Sequence, residues 1–268
     1  MKNFIILFLI LSSTGCVHYY YAPNAGNIPL FKEKNTFKGK AGFGGGNNYN
    51  GGDIQLAYSA SKKIGIMVNS FFAGKTEKVD ENFSTGATQE ESGKGSYFEV
   101  GAGYYKAFGE KKLWIFETYG GAGVGGENHV YNSLETSKLN ITKYFIQPSI
   151  GYSSHRGTLE VAVGSRFSGL NLKINQSNVS IANNQSSKKN LDYISIHPAS
   201  FLLEPSIMIA AGWPNFKFYF ELTTSQNLTN SNLAQDNSDA NLGIKFTLKS
   251  NPNKKDNVKS GYMPPSIN

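Results

Sequence analysis

Between Phe216 and Leu222 apolar and polar positions alternate without a break, with Phe216, Phe218, Phe220 and Leu222 on one side and Lys217, Tyr219 and Glu221 on the other. A period of two is that of an extended strand, whose successive side chains point to opposite faces. The same alternation recurs along the chain. It predicts about ten strands, near 37–45, 52–60, 63–74, 95–107, 112–125, 141–154, 157–168, 199–211, 215–224 and 239–248. The connections alternate as well. Short ones fall at Ser61-Lys62, Gly109-Glu110-Lys111, Ser154-His155-Arg156 and Gly212-Trp213-Pro214-Asn215. Longer polar ones run over Gly46–Gly51, Lys75–Lys94, Gly126–Asn140, Gly169–Pro198 and Ser225–Asp239. Tight turns at one end and long loops at the other predict an all-β fold, an antiparallel up-and-down β-barrel spanning 37–248. An even strand number places both ends of the barrel on the short-turn side.

Each strand has one nearly pure apolar face. Trp114, Phe116, Ala122 and Val124 oppose Leu113, Ile115, Glu117 and Tyr119. Leu159, Val161, Val163 and Phe167 oppose Glu160, Ala162, Gly164 and Arg166, and Leu242, Ile244, Phe246 and Leu248 oppose Lys245. A soluble barrel turns the apolar face inward around a core, whereas a membrane barrel turns it to lipid. Alternation alone does not choose. Strands of about nine to eleven residues match a tilted membrane crossing. The mixed faces carry acids (Glu99, Glu117, Glu160, Glu204, Glu221) and bases (Lys40, Arg166, Lys217, Lys245), which suit pairing across a narrow lumen. The membrane version is therefore the expectation. At ten strands the lumen is too narrow for a broad pore.

The chain begins with Lys2 and eight apolar residues from Phe4 to Leu11, too few to span a bilayer as a helix, and the run closes on Ser13-Thr14-Gly15-Cys16. This resembles the signal of bacterial lipoproteins. The resemblance implies a signal peptide over 1–15, cleavage before Cys16, and acylation of Cys16, including palmitate, as the new amino terminus. Cys16 is the only cysteine, so no internal disulfide forms. No acidic cluster follows it. By similarity to known sorting patterns this implies delivery to the outer membrane, with a periplasmic anchor and both termini periplasmic. Residues 16–36 form an extended lead-in stiffened by Pro23 and Pro29. Its Tyr19-Tyr20-Tyr21-Ala22-Pro23-Asn24 resembles the corresponding stretch of uncharacterised Gram-negative outer-membrane β-barrel lipoproteins, and its aromatics suit either the membrane interface or a plug at the barrel mouth.

Composition adds little chemistry. With 29 Gly, 18 Phe and 15 Tyr but only 17% charged residues, the chain is rich in strand and turn formers. Three of its seven net positive charges sit in the tail 249–268, read as flexible. An exported chain without aromatic-basic interleaving is not expected to bind nucleic acid. Gly121-Ala122-Gly123-Val124-Gly125-Gly126 matches G-x-G-x-x-G in letters, but no helix is predicted after it to meet a phosphate, so close strand packing is the expected role. His18, His129, His155 and His197 show no metal spacing. Adjacent Ser154 and His155 would point to opposite faces of a strand. His197 with Ser200 is loosely similar to the pair of outer-membrane lipid A deacylases, at a different spacing. The Asn/Ser-rich loop 169–198 is expected to be mobile and exposed.

The expectation is a lipid-anchored outer-membrane barrel without catalytic residues or cofactor, with a structural, adhesive or small-ligand-binding role. Its partners would be membrane lipid, met through Cys16 and the barrel wall, and an extracellular or cell-wall ligand. Two alternatives remain: a periplasmic, lipid-tethered, lipocalin-like carrier with its apolar faces inward, and an outer-membrane lipid-modifying enzyme.

Overall fold

A computed structural model describes residues 18–80 and 88–249. The signal segment, Cys16 and the tail beyond Lys249 lie outside the described residues. Ten strands form: β1 (Thr36–Gly45), β2 (Asn50–Tyr58), β3 (Ile64–Asp80), β4 (Thr88–Phe108), β5 (Trp114–Val130), β6 (Thr136–Ser153), β7 (Leu159–Ser177), β8 (Ala199–Trp213), β9 (Phe216–Thr224) and β10 (Ser238–Lys249). Each pairs antiparallel with its neighbour in sequence. The ring closes where β1 meets β10, from Thr36 opposite Lys249 to Gly45 opposite Ala240. The result is a closed ten-stranded up-and-down barrel, and a two-residue bridge, Gln226–Asn227, is added against β8. In mid-wall the pairing of β6 with β7 skips from Ile146–Phe167 to Ser149–Gly164, where Pro148 has no amide hydrogen to contribute.

The apolar faces point outward. Trp114, Phe116, Val124, Leu159, Val163, Phe167, Phe218, Phe220 and Leu242 are all exposed, while Ile115, Glu117, Tyr119, Glu160, Ala162, Arg166, Lys217, Tyr219, Glu221 and Lys245 are buried inside. A soluble monomer rarely carries so continuous an apolar surface. A lipocalin-like carrier requires the reverse arrangement.

The wall is uneven. Strands β3 to β7 run for 17 to 21 residues, whereas β1, β2, β9 and β10 have only 9 to 12. Much of what reads in sequence as long loops over 75–94, 126–140 and 169–177 is therefore strand. Main-chain pairing persists there although the apolar positions change sides: in β7 Val163 and Phe167 point outward, whereas Leu170 and Leu172 point inward.

One further expectation is corrected. The 169–198 segment is not a bare mobile loop: β7 runs to Ser177, and a helix, α1 (Gln185–Ile196), buries Ser187, Leu191 and Ile194. Leu191 and Ile194, with Val179, join a cluster that includes Tyr20, Leu172 and Leu202, so a few apolar residues in a polar segment suffice to dock it over the mouth. Of the two places open to the lead-in aromatics, Tyr20 and Tyr21 take the barrel mouth, and the segment after them runs on through the lumen. His18 contacts Glu91 and Tyr131 at the long-loop mouth, whereas the Asn35 amide bonds the Ser59 carbonyl at the short-turn end. Of the two ends of the described chain, only Lys249 is on the short-turn side.

Candidate functional site

A chain threaded through a barrel has no sheet or helix of its own to satisfy its amides and carbonyls, and each one left unpaired costs about 1–3 kcal/mol. The lumen side chains supply those partners. Glu117 accepts from the amides of Leu30 (2.9 Å) and Phe31 (2.7 Å). Glu221 accepts from the Gly26 amide (2.5 Å), while Lys40 donates to the Gly26 carbonyl (2.8 Å) and to the other Glu221 oxygen. Gln55, Gln147, Lys245 and Lys38 donate to the carbonyls of Ala25, Asn27, Ile28 and Leu30. Tyr97 and Tyr49 donate to those of Ala22 and Pro23.

The expected charge pairs are present and tied to this ladder. Glu160 is approached by Lys245 (2.8 Å), Lys38 (3.4 Å) and Lys217 (3.6 Å). Nearer the long-loop end Lys143 and Arg166 sit between Glu99 and Glu204, and Arg166 also donates to the Asn24 side-chain carbonyl (2.8 Å). The Tyr21 hydroxyl donates to Glu204 and accepts from Lys143. These charges hold one fixed segment.

At the long-loop mouth, on the side away from α1, a cleft encloses about 770 Å³ of space open to solvent. Rings of Tyr19, Tyr49, Phe71 and Tyr97 line it, with Lys75, Lys94, Glu91 and Glu127 at its polar edge. Here the lead-in brings His18 to His129, ring centroids 5.5 Å apart, with Glu91 3.3 Å from one imidazole and Glu127 3.1 Å from the other. Burial, helped by His129 and Lys75, pushes the His18 imidazole down to about 4, so it is neutral at physiological pH. Sequence spacing does not show this meeting. The only cue is aromatic crowding at Tyr19-Tyr20-Tyr21.

The other candidates stay apart. Among the described residues no group of three or more His, Cys, Asp or Glu is arranged to hold a metal ion. His197 is exposed at the end of α1, beside the Tyr193 ring, whereas Ser200 is buried and accepts from Asn230. Ser154 and His155 lie in the short turn after β6, with Ser154 bonded to the amides of Thr158 and Leu159. The Gly121–Gly126 run lies inside β5 and opens no helix; a side chain at Gly121 would strike the Val100 carbonyl at 2.3 Å, and one at Gly123 the Glu99 side chain at 2.7 Å. Close strand approach accounts for these glycines.

No family model matches the chain, and no curated protein does. Among solved structures it is similar to OmpT, an outer membrane protein of Vibrio cholerae folded in vitro. The likeness is at 15% identity with a TM-score of 0.28, over 81% of this chain and 62% of that one. The chain thus spans less than two thirds of that neighbour's length.

Proposed function

We propose that this chain is a lipid-anchored outer-membrane barrel with a permanently filled lumen, serving as a non-enzymatic surface module that offers its long-loop mouth to a small ligand. The observation that carries the reading is the division of the wall: a belt of apolar side chains on the exterior, and buried interior charges bonded to a threaded segment. A transport pore needs a free path through the lumen and a lipophile carrier needs an apolar cavity; the lead-in occupies the space of both. His197 lies against the Tyr193 ring and Ser200 accepts from Asn230, so this pair is not the dyad that the lipid-modifying alternative would use.

The test is alkaline extraction of membranes holding a Cys16→Ser variant exported behind an ordinary cleavable signal peptide. Retention in the pellet, with heat-dependent gel mobility and no conductance in planar bilayers, is the expected result. Release as folded soluble protein overturns the membrane-spanning reading, and stable single-channel currents overturn the filled lumen.

A further inference from the structure

The path of residues 18–35 fixes which mouth of the barrel the upstream chain leaves from. We infer that the acylated end of the protein is delivered to the long-loop face, so that Cys16 carries its lipid at the outer surface of the membrane, opposite to the periplasmic position the strand count implies. The inference rests on the reading of Cys16 as acylated and of the barrel as spanning the outer membrane. Its own ground is the threading.

Three observations support it. First, the segment crosses the whole lumen in one direction: Asn35 is tied to Ser59 at the short-turn end, Leu30 and Phe31 to Glu117, Gly26 to Glu221 and Lys40, and Tyr20 and Tyr21 pair through their backbones with Ala234 and Asp236 in the connection between β9 and β10. Second, side chains of all ten strands converge on the lead-in within the lumen. The void beside the lead-in, between Asn24, Gly26, Gln147, Arg166 and Thr223, encloses about 190 Å³, and α1 closes part of the mouth above it. Third, the distance is short. Two residues beyond His18 the chain reaches Cys16, and two extended residues span at most about 7 Å. His18 lies beside Glu91 and His129, close to the long-loop ends of β4 and β5. Lipid on Cys16 therefore has the external leaflet as its nearest hydrocarbon, and two or more acyl chains there would hold the mouth end of the lead-in to the membrane.

The experiment uses the full chain in cells. An epitope peptide is inserted between Val17 and His18, a second variant carries it between Lys62 and Lys63 in the turn after β2, and incorporation of a palmitate analogue is followed in both and in Cys16→Ser. The expected result is antibody binding to the 17/18 insertion on intact cells, to the 62/63 insertion only after permeabilisation, and analogue incorporation that requires Cys16. Detection of the 17/18 insertion only after permeabilisation, with analogue still incorporated, overturns the threading while the anchor stands. Surface detection without incorporation overturns the lipid and keeps the threading. Surface detection of the 62/63 insertion overturns the orientation of the barrel. If the 17/18 insertion prevents the heat-dependent mobility shift of a folded barrel, a His18→Cys variant labelled with a membrane-impermeant maleimide gives the same reading: labelling in intact cells supports the proposal, and labelling only after permeabilisation overturns it.

Discussion

The two halves of the lumen bury the same segment by different means. Toward the short turns, charged side chains hold main-chain groups: Glu117 takes two successive amides, Lys38 and Lys245 take the Leu30 and Ile28 carbonyls, and Glu160 neutralises the lysines that do so. Toward the long loops, Tyr20 and Tyr21 pack among Leu139, Ile141, Leu170, Leu172 and Leu202 with α1 over them, and the polar contacts run mainly from side chain to side chain: the hydroxyls of Tyr20, Tyr131 and Ser137 in a chain, the Tyr21 hydroxyl between Glu204 and Lys143, and Arg166 on the Asn24 side chain. The difference is between a register and a fit. A carboxylate that bonds two particular amides specifies which residue stands where, whereas an apolar cluster accepts any filling of the right volume.

On that contrast, substitutions in the short-turn half should cost more. The largest effect is expected for Glu160→Gln, which leaves Lys38, Lys217 and Lys245 buried around an uncharged amide. Breaking a buried ion cluster in this way costs about 3–5 kcal/mol, measured by urea unfolding in detergent micelles. Glu117→Gln keeps one acceptor for two amides and should lose about 1–3 kcal/mol in the same assay. In the other half, Tyr20→Phe removes the 2.8 Å bond to Tyr131 but keeps the ring, and a loss of about 1 kcal/mol is expected. Equal costs for Tyr20→Phe and Glu117→Gln would erase the distinction.

A further effect is on pH. Burial lowers His18 from 6.5 to about 4, so between these values the released lead-in end binds more protons than the docked one. Docking is then strongest above about 6.5, weakens as pH falls toward 4 and changes no further below it. Hydrogen exchange at the Tyr20 amide, which bonds the Ala234 carbonyl, should speed up relative to mid-wall amides as pH is lowered through that window, after correction for intrinsic rates. His18→Phe should flatten the dependence.

The strand pattern was legible wherever one face is apolar and exposed: 215–224 and 239–248 read correctly to within a residue because apolar and polar positions alternate strictly there. It failed toward the long-loop ends. Ser92, Gly93 and Lys94 in β4 are strand by main-chain pairing, with no period to announce it, whereas Leu170, Asn171, Leu172 and Lys173 in β7 do alternate, with the apolar side chains turned inward, yet fall within the connection 169–198 of the sequence reading. Helix α1 was hidden for a related reason, since only Leu191 and Ile194 bury apolar side chains in a stretch that is mostly Ser, Lys, Asn, Gln and Asp. The buried acids and bases were named correctly as lumen residues, but their main partner was not. Glu117 pairs with no basic side chain in an ion pair among the described residues; it serves an uncharged backbone 86 residues away, a relation no local spacing encodes.

The seam between β1 and β10 joins the first and last strands of the barrel around a segment that precedes both. No ring already zipped at that seam can admit the lead-in sideways, and pushing a free end through would drag it past every lumen charge. An order of assembly that avoids both closes the ring after residues 22–31 are laid along the open sheet. Ordered in that way, the segment acts as the mandrel on which the tube is rolled.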